Sequence, residues 1–418
     1  MRELRVAVYG AALCGWGGGL DFLRLLIQAL LIKAQNQQIQ AIKIILLLPD
    51  EYNPAFSLKK IIKNFIKYTI LRRKKENLAL DPVLILESLQ KNTNGVFDTV
   101  FYQDHELNQT LARIHADILL PVGPSSVTPE FCVPHLGFIF DFQHKYYPNF
   151  FSEQEIAARD QSFEKILQRS PVTIVHANAV KQDIEKFFPA AKSTVFVLPF
   201  AASPVGTWFD AHDHQVLAGR YNLPEKYFMI ANQFWIHKNH LTAFKALGQL
   251  GDKNIHIVCT GNTHDYRAPG YFDDLKKNIE TLGLTDRVHF LGFIPKRDQI
   301  MIMKHSLGLI QPTLFEGLPG GGSVWDALGI GVPVLVSDIP VNRELPEDYV
   351  TFFMPESVDD LANRMSDLHS RKKTETAQNE LFAQGQARLE KFGDILVQAI
   401  SYAVHEGAAA DEDKGDRS

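Results

Sequence analysis

Cysteine is scarce in this chain, with three in 418 residues at positions 14, 132 and 259. They lie far apart and form neither a disulfide framework nor a CxxC metal pair, which points to a reducing compartment. An excess of charge of one sign is also missing. Lys and Arg number 43 against 48 Asp and Glu, and a net charge of -5 argues against nucleic acid as the main partner. No apolar run is long enough to span a bilayer: "LDFLRLLIQALLI" is interrupted by Arg24 and Gln28. The opening "LRVAVYG" is too short and too strand-like for a signal-peptide core, so the expected location is the cytoplasm. The sequence has no fixed-period repeat, no GxGxxG and no DxD in a cleft position. Its one low-complexity piece is the tail "EGAAADEDKGDRS", and residues 406–418 are expected to be disordered.

What is present is a series of short apolar runs. "RVAVYG", "AIKIILLLP", "DTVFYQD", "ADILLPVG", "LGFIFDF", "VTIVHAN" and "TVFVLPF" precede an irregular stretch, "FAASPVGTWFDAHDH". Then come "YFMIANQ", "IHIVCTG", "RVHFLGF", "LGLIQPT", "VPVLVSD" and "VTFFMP". The runs are apolar throughout rather than alternating, as in parallel strands covered on both faces. Helix-like segments separate them, so the pattern predicts two doubly wound α/β domains, residues 1–205 and 222–390. In such sheets ligands sit beyond the carboxyl ends of the strands, which directs attention to the loops there.

Four loops look chemical. After the first strand, Gly17, Gly18 and Gly19 precede a helix, as a phosphate site or as a plain tight turn. After the fifth, Asp141 and His144 suit sugar hydroxyls or proton relay, or else a helix cap and a surface histidine. In "ANQFWIHKNHLTAFKAL", Lys238 falls at a helix start, where an isolated cation opposes the dipole unless an anion shares the site. Asn239 is a partner for that anion through its amide; the alternative is a solvated lysine. The fourth loop, "EGLPGGGSVWDALGIG", sets Gly320, Gly321, Gly322 and Ser323 at a helix N-terminus between Glu316 and Asp326. Backbone free of side chains there offers N–H donors to phosphate oxygens, Asp326 can accept a ribose diol, and Glu316 can grip a sugar hydroxyl. Gly261, closing "IHIVCTG", ends another strand of the same domain.

These residues resemble the retaining glycosyltransferases of family 4, over nearly the whole chain to about residue 405. The likeness is strongest in "GLTDRVHFLGFIPKRDQIMIMKHSLGLIQPTLFEG" and "WDALGIGVPVLVSDIPVNREL". The resemblance implies the GT-B fold, two Rossmann-like domains facing a cleft, with a helix at 391–405 crossing back to the first. By carry-over, Glu316 contacts the donor sugar, Asp326 the ribose and the amides between them the phosphates. The spacing between the two acids is two residues longer here, and the second is Asp rather than Glu. Lys238 matches the lysine of the family's diphosphate-binding pair, with Gln233 at about the place of its arginine. The family's His-Asp reads Phe140-Asp141, with His144 three residues on as a substitute for the histidine. Gly18 and Gly19 match the family's first-domain glycine loop.

The activity so implied is retaining transfer of a hexose from a nucleotide-diphosphate sugar, of the GDP-mannose or UDP-sugar type. The acceptor is a glycan or lipid-linked molecule, and neither cofactor nor metal is expected. Rival readings are a sugar-nucleotide epimerase or hydrolase, and a two-lobed ligand-binding protein without chemistry. In "SLKKIIKNFIKYTILRRKKENL", apolar residues at 58, 61, 62, 65, 66 and 70 form a helical stripe beside eight Lys and Arg. The stretch suits an anionic membrane surface at the inner face or a lipid-linked acceptor, or else an ordinary helix packed on its domain.

Overall fold

In a computed structural model, residues 3–415 are described apart from 12, 15–16, 36–40, 54–96, 127–129, 202–203, 205, 210–213, 347 and 372–375. The basic stretch at 57–76 lies outside the described residues. Each apolar run is a strand. The first domain holds β1 (Leu4–Tyr9), β2 (Ile42–Pro49), β3 (Asp98–Tyr102), β4 (Ile118–Val122), β5 (His135–Phe138), β6 (Val172–Val175) and β7 (Thr194–Val197). They form one sheet in the order β3-β2-β1-β4-β5-β6-β7. The second holds β8 (Lys226–Ala231), β9 (Ile255–Thr260), β10 (Val288–Phe290), β11 (Leu309–Gln311), β12 (Val334–Ser337) and β13 (Val350–Phe353). Their order is β10-β9-β8-β11-β12-β13. Every pairing is parallel.

Both sheets are doubly wound, and strand order reverses between β1 and β4 in the first and between β8 and β11 in the second. Loops leaving either side of such a switch point diverge to opposite faces and open a crevice. The start of the helix at Gly17–Gly19 and the loops carrying Lys238 and Glu316 all follow these strands.

Seven helices place the site and join the domains: α1 (Gly17–Gln35), α2 (Glu153–Arg169), α3 (Asn178–Phe187), α4 (His240–Gln249), α5 (Lys296–Lys304), α6 (Gly321–Gly329) and α7 (Gln378–Gly415). Helix α7 runs from the second domain onto the first. Its Phe392, Leu396, Ala399, Ile400 and Ala403 are buried in one core cluster with Phe22, Leu26 and Leu30 of α1. Lys33 of α1 pairs with Asp394 at 2.6 Å, and Thr194 of β7 donates to the Tyr402 hydroxyl at 3.1 Å. Gly393 permits the close approach, since a Cβ there would lie 2.9 Å from Lys33 Cε. The helix continues to Gly415, past the point where disorder was expected. Ala408, Ala409 and Ala410 are strong helix formers that propagate a turn already nucleated.

The domains also meet through Glu344, whose carboxylate accepts from the backbone N–H groups of Asn178 and Ala179, both at 2.8 Å. An acid of the second domain thus caps a helix of the first, satisfying donors that α3 leaves unpaired.

Burial of histidines sets an acid limit on stability. Burial lowers His135 and His176 to about 4 and His240 to about 3, against an ordinary value near 6.5. Below pH 6.5 the unfolded chain therefore binds more protons than the folded one. Stability should fall as the pH drops from about 6.5 toward 4, by up to about 1.4 kcal/mol per pH unit for each histidine. Urea unfolding at pH 7.5, 6 and 5 checks this; a midpoint independent of pH over that range would contradict it.

Candidate active site

The loop after β8 makes a 3-10 turn, Ile236–Lys238, before α4. Asn239 follows in the left-handed conformation at φ 52°, tolerable for Asn because its side chain bonds locally. Its amide donates to the Pro312 carbonyl at 3.2 Å and its oxygen accepts from Thr242 at 3.0 Å, so it ties β11 to α4. Lys238 ends the turn before the helix rather than opening the helix itself, and it is buried. Its ammonium donates to Glu316 Oε1, joining the loops on the two sides of the switch point. Gln233 turns its oxygen to the backbone N–H of Asn262 at 3.0 Å. Gly261 ends β9 at φ 134°, where a Cβ would sit 2.0 Å from the Asn232 carbonyl oxygen, so only glycine fits.

The loop after β11 is held from below. Gln311 donates to Glu316 Oε1 at 3.2 Å and to the Gly320 carbonyl at 2.7 Å, and Asn232 donates to Gln311 in turn. Asn342 accepts from the Gly320 N–H at 2.7 Å. Gly320 and Gly321 adopt φ 69° and 71°, which bends the chain into α6 without a side-chain cap. The Gly321 N–H is taken by the Leu318 carbonyl at 2.9 Å, which leaves the N–H groups of the exposed Gly322 and the buried Ser323 as the donors that the first turn of α6 can offer. Burial pushes the Glu316 carboxyl up from its ordinary value; Lys238 pulls it down and the charge of Asp141 adds to the rise.

Asp141 faces this loop from the first domain. A Cβ on Gly317 would lie 2.1 Å from the Phe140 carbonyl oxygen and 2.6 Å from Asp141 Cβ, so the two loops touch across the cleft. Gly317→Ala cannot keep that contact, because two of the three nearest atoms it meets, the Phe140 carbonyl carbon and oxygen, are backbone. The variant should fold but hold its domains apart, with a larger radius of gyration in solution scattering and activity reduced at least about tenfold. An unchanged radius and rate would show that the contact is dispensable.

The carboxylate of Asp141 accepts from the Gln143 N–H at 2.9 Å. His144 does not emerge beside it. It sits in the short helix Gln143–Tyr146 and turns inward, with Nε2 2.9 Å from Asp160 of α2 and its ring among Phe142, Phe151 and Phe163. Gly18 and Gly19 lie in the first turn of α1, Gly18 exposed and Gly19 buried.

Asp326, one turn into α6, is buried and bound to Lys296 at 2.6 Å. The same Lys296 ammonium donates to Asp21 of α1 at 3.1 Å, and Arg24 stands 3.4 Å from Asp21 on its other side. Burial raises the carboxyl of Asp326 against the pull of Lys296; at Asp21 burial also acts upward but is outweighed by Lys296 and Arg24, which hold it low.

Four of these neighbours have no local sequence signal: Asp21, Lys296, Arg267 and His176. Half-buried Arg267 donates to Asp265 at 3.0 Å and across the cleft to Gln143 at 2.7 Å, with its guanidinium 5.1 Å from the Trp235 ring. His176 follows β6 directly, its Nδ1 2.9 Å from the Leu198 carbonyl among the rings of Phe22, Phe138 and Phe200. The run "VTIVHAN" contains it, but nothing local distinguished it from a core residue.

With the two glycine-rich loops, the buried Lys238–Glu316 pair and the second sheet in view, comparison with known proteins becomes specific. Residues 218–381 match the family model described as glycosyl transferases group 1. The chain carries a glycosyltransferase group 1 domain. That domain spans α5, α6 with its Asp326, and the loops bearing Lys238 and Glu316. Among characterised proteins, the chain is 30% identical over 133 residues to the O-antigen chain mannosyltransferase RfbU of Salmonella typhimurium. The match covers 32% of this chain and 35% of that protein, about a third of its length. Among solved structures, Anabaena HepE in complex with UDP and glucose aligns over 95% of this chain and 99% of its own, with TM-score 0.63 and 15% identity. Sucrose-phosphate synthase from Thermosynechococcus elongatus aligns over 99% and 100%, with TM-score 0.58 and 14% identity. At these identities the likeness is one of fold: two facing parallel-sheet domains in the GT-B arrangement.

Among the described residues, no helix is long and apolar enough to cross a membrane.

Proposed function

We propose that the protein is a retaining hexosyltransferase that moves a sugar from a nucleotide-diphosphate donor of the GDP-mannose or UDP-sugar type to a glycan or lipid-linked acceptor. The observation that carries this reading is the buried Lys238–Glu316 pair at the switch point, beside the uncapped N-terminus of α6 within the group 1 domain. A buried ion pair is costly to desolvate and adds little net stability, so a site that keeps one beside free helix donors suits a charged ligand. In this reading the diphosphate lies on the amides of Gly322 and Ser323, beside the turn that Gly320 and Gly321 form, with Lys238 and Asn239 alongside. Glu316 holds the transferred sugar from one side and Asp141 faces it from the other, while Asp326 takes the ribose. Lys238 and the helix N-terminus neutralise the departing diphosphate, so the step requires no metal. Departure and attack on one face of the sugar retain its configuration. A galactosyltransferase of the lipopolysaccharide outer core, WaaB, shares the fold at TM-score 0.55, and the RfbU match supports a role in surface-glycan synthesis.

A thermal-shift panel of UDP-, GDP-, ADP- and dTDP-sugars tests the donor class. One base should raise the melting temperature with a concentration dependence set by mass action, and no shift with any of them would count against the reading. The basic stretch at 57–76 is proposed to rest on an anionic membrane at the cytoplasmic face. Cosedimentation with phosphatidylglycerol vesicles should then fall at high salt and in a Lys-to-Glu variant; equal partitioning of both proteins would remove the proposal.

A further inference from the structure

Lys296 is the first residue of α5, directly after Pro295. A cation there opposes the helix dipole, so the position is unfavourable unless something else holds the charge. Two acids do, Asp326 buried and Asp21 half-buried. Asp326 of the same domain accepts at 2.6 Å and Asp21 of the facing domain at 3.1 Å, from a single ammonium. The cluster borders a small cavity between α1 and α6, lined by Asp21, Arg24, Gln28, Phe200, Gly322 and Asp326. Without Lys296, two carboxylates would face each other across the domain boundary with only Arg24 nearby, 3.4 Å from Asp21. Like charges at such separation repel, and each would keep its own desolvation cost.

We infer that Lys296 is a positioning residue for nucleotide recognition: it fixes the Asp326 carboxylate for the ribose and, through Asp21, makes that hold part of the closed arrangement of the domains. The inference rests on the donor reading above but assigns a role that neither loop motif carries. In the closed form one ammonium is shared between the carboxylate that meets the ligand and one that belongs to the other domain. Nucleotide binding and closure then favour each other, by reciprocity of linked equilibria.

The test is calorimetric titration with UDP and GDP, each beside its 2′-deoxy analogue. The wild type should favour the ribonucleotide by about tenfold, the loss expected when a hydrogen bond to a charged group is removed. Lys296→Met should bring that ratio close to one, and Lys296→Arg should restore most of it. Asp21→Asn keeps the Lys296–Asp326 pair, so its ratio should stay near the wild-type value while the nucleotide-bound protein shows a larger radius of gyration in solution scattering. A ratio unchanged in Lys296→Met overturns the inference while leaving the donor reading intact. A ratio lost in Asp21→Asn as fully as in Lys296→Met would assign the hold to Asp21 instead and overturn it as well. An Asp21→Asn radius equal to that of the wild type removes the link to closure. If neither ribonucleotide binds the wild type, the donor reading beneath it has failed.

Discussion

Glu316→Gln should lower turnover by about 10²- to 10³-fold while leaving affinity for the free nucleoside diphosphate unchanged or higher. The carboxylate is buried, bonded to Lys238 and Gln311, and faces Asp141 across the cleft. If it grips the sugar as charge develops there, the loss falls on the transition state, as for other preorganised polar groups. The free product has no sugar to grip. The amide also frees the ammonium of Lys238 for phosphate, so product affinity has no reason to fall. Stability will suffer, because Lys238 is left buried without its counter-charge, at about 3–5 kcal/mol. Added nucleotide should recover part of that by supplying the missing anion. Initial rates and calorimetry on the same preparation separate these effects. If Glu316→Gln lost the free nucleotide as badly as Asp326→Ala, the division of the loop into a sugar end and a ribose end would be wrong.

Deleting residues 391–418 should abolish cooperative folding of the first domain, not merely lower its melting point. The truncation removes Phe392, Leu396, Ala399, Ile400 and Ala403, all buried in the cluster built on β1 and α1. It also strips the buried Lys33 of its partner Asp394. Phe-to-Ala and Leu-to-Ala changes in such a core each cost about 2–5 kcal/mol, and a domain has about 5–15 kcal/mol in all. Loss of the whole segment therefore exceeds what the fold can absorb. Deleting only 407–418 removes no residue of that cluster and should leave melting within about 1–2 °C of the full chain. Circular dichroism melts of both truncations decide the matter; a cooperative transition near the full-length temperature in the larger deletion would show that α7 is not integral to the first domain.

The strands were legible because parallel strands buried on both faces must be apolar at every position, which a single sequence displays without partners. The acid–glycine–acid loop was legible for a related reason: glycines at positive φ before a helix leave a local trace. What sequence could not show was direction. His144 lies close in sequence to Asp141, yet the helical turn it enters swings it toward Asp160 and the aromatic cluster. Gln233, aligned with a family arginine, is engaged by a backbone amide of the neighbouring loop. Nor could it show the cluster around Lys296, whose three members lie 275 and 30 residues apart along the chain. Such a group exists only once the domains have met, and neither "IPKRDQ" nor "GLDFLR" carries a local pattern that announces it.

The central claim, that the cleft transfers a sugar from a nucleotide-diphosphate donor, is tested most directly by following that chemistry in one tube. UDP- and GDP-linked hexoses are incubated with the protein and a mixture of glycan and lipid-linked acceptors, with a metal chelator present. Phosphorus NMR reports nucleoside diphosphate release, and proton NMR the anomeric configuration of the product. One donor should be consumed in an acceptor-dependent way, with the anomeric configuration of the donor kept in the product. A donor that binds but is never consumed, or one converted to a free sugar or an epimer without any acceptor, would contradict the account.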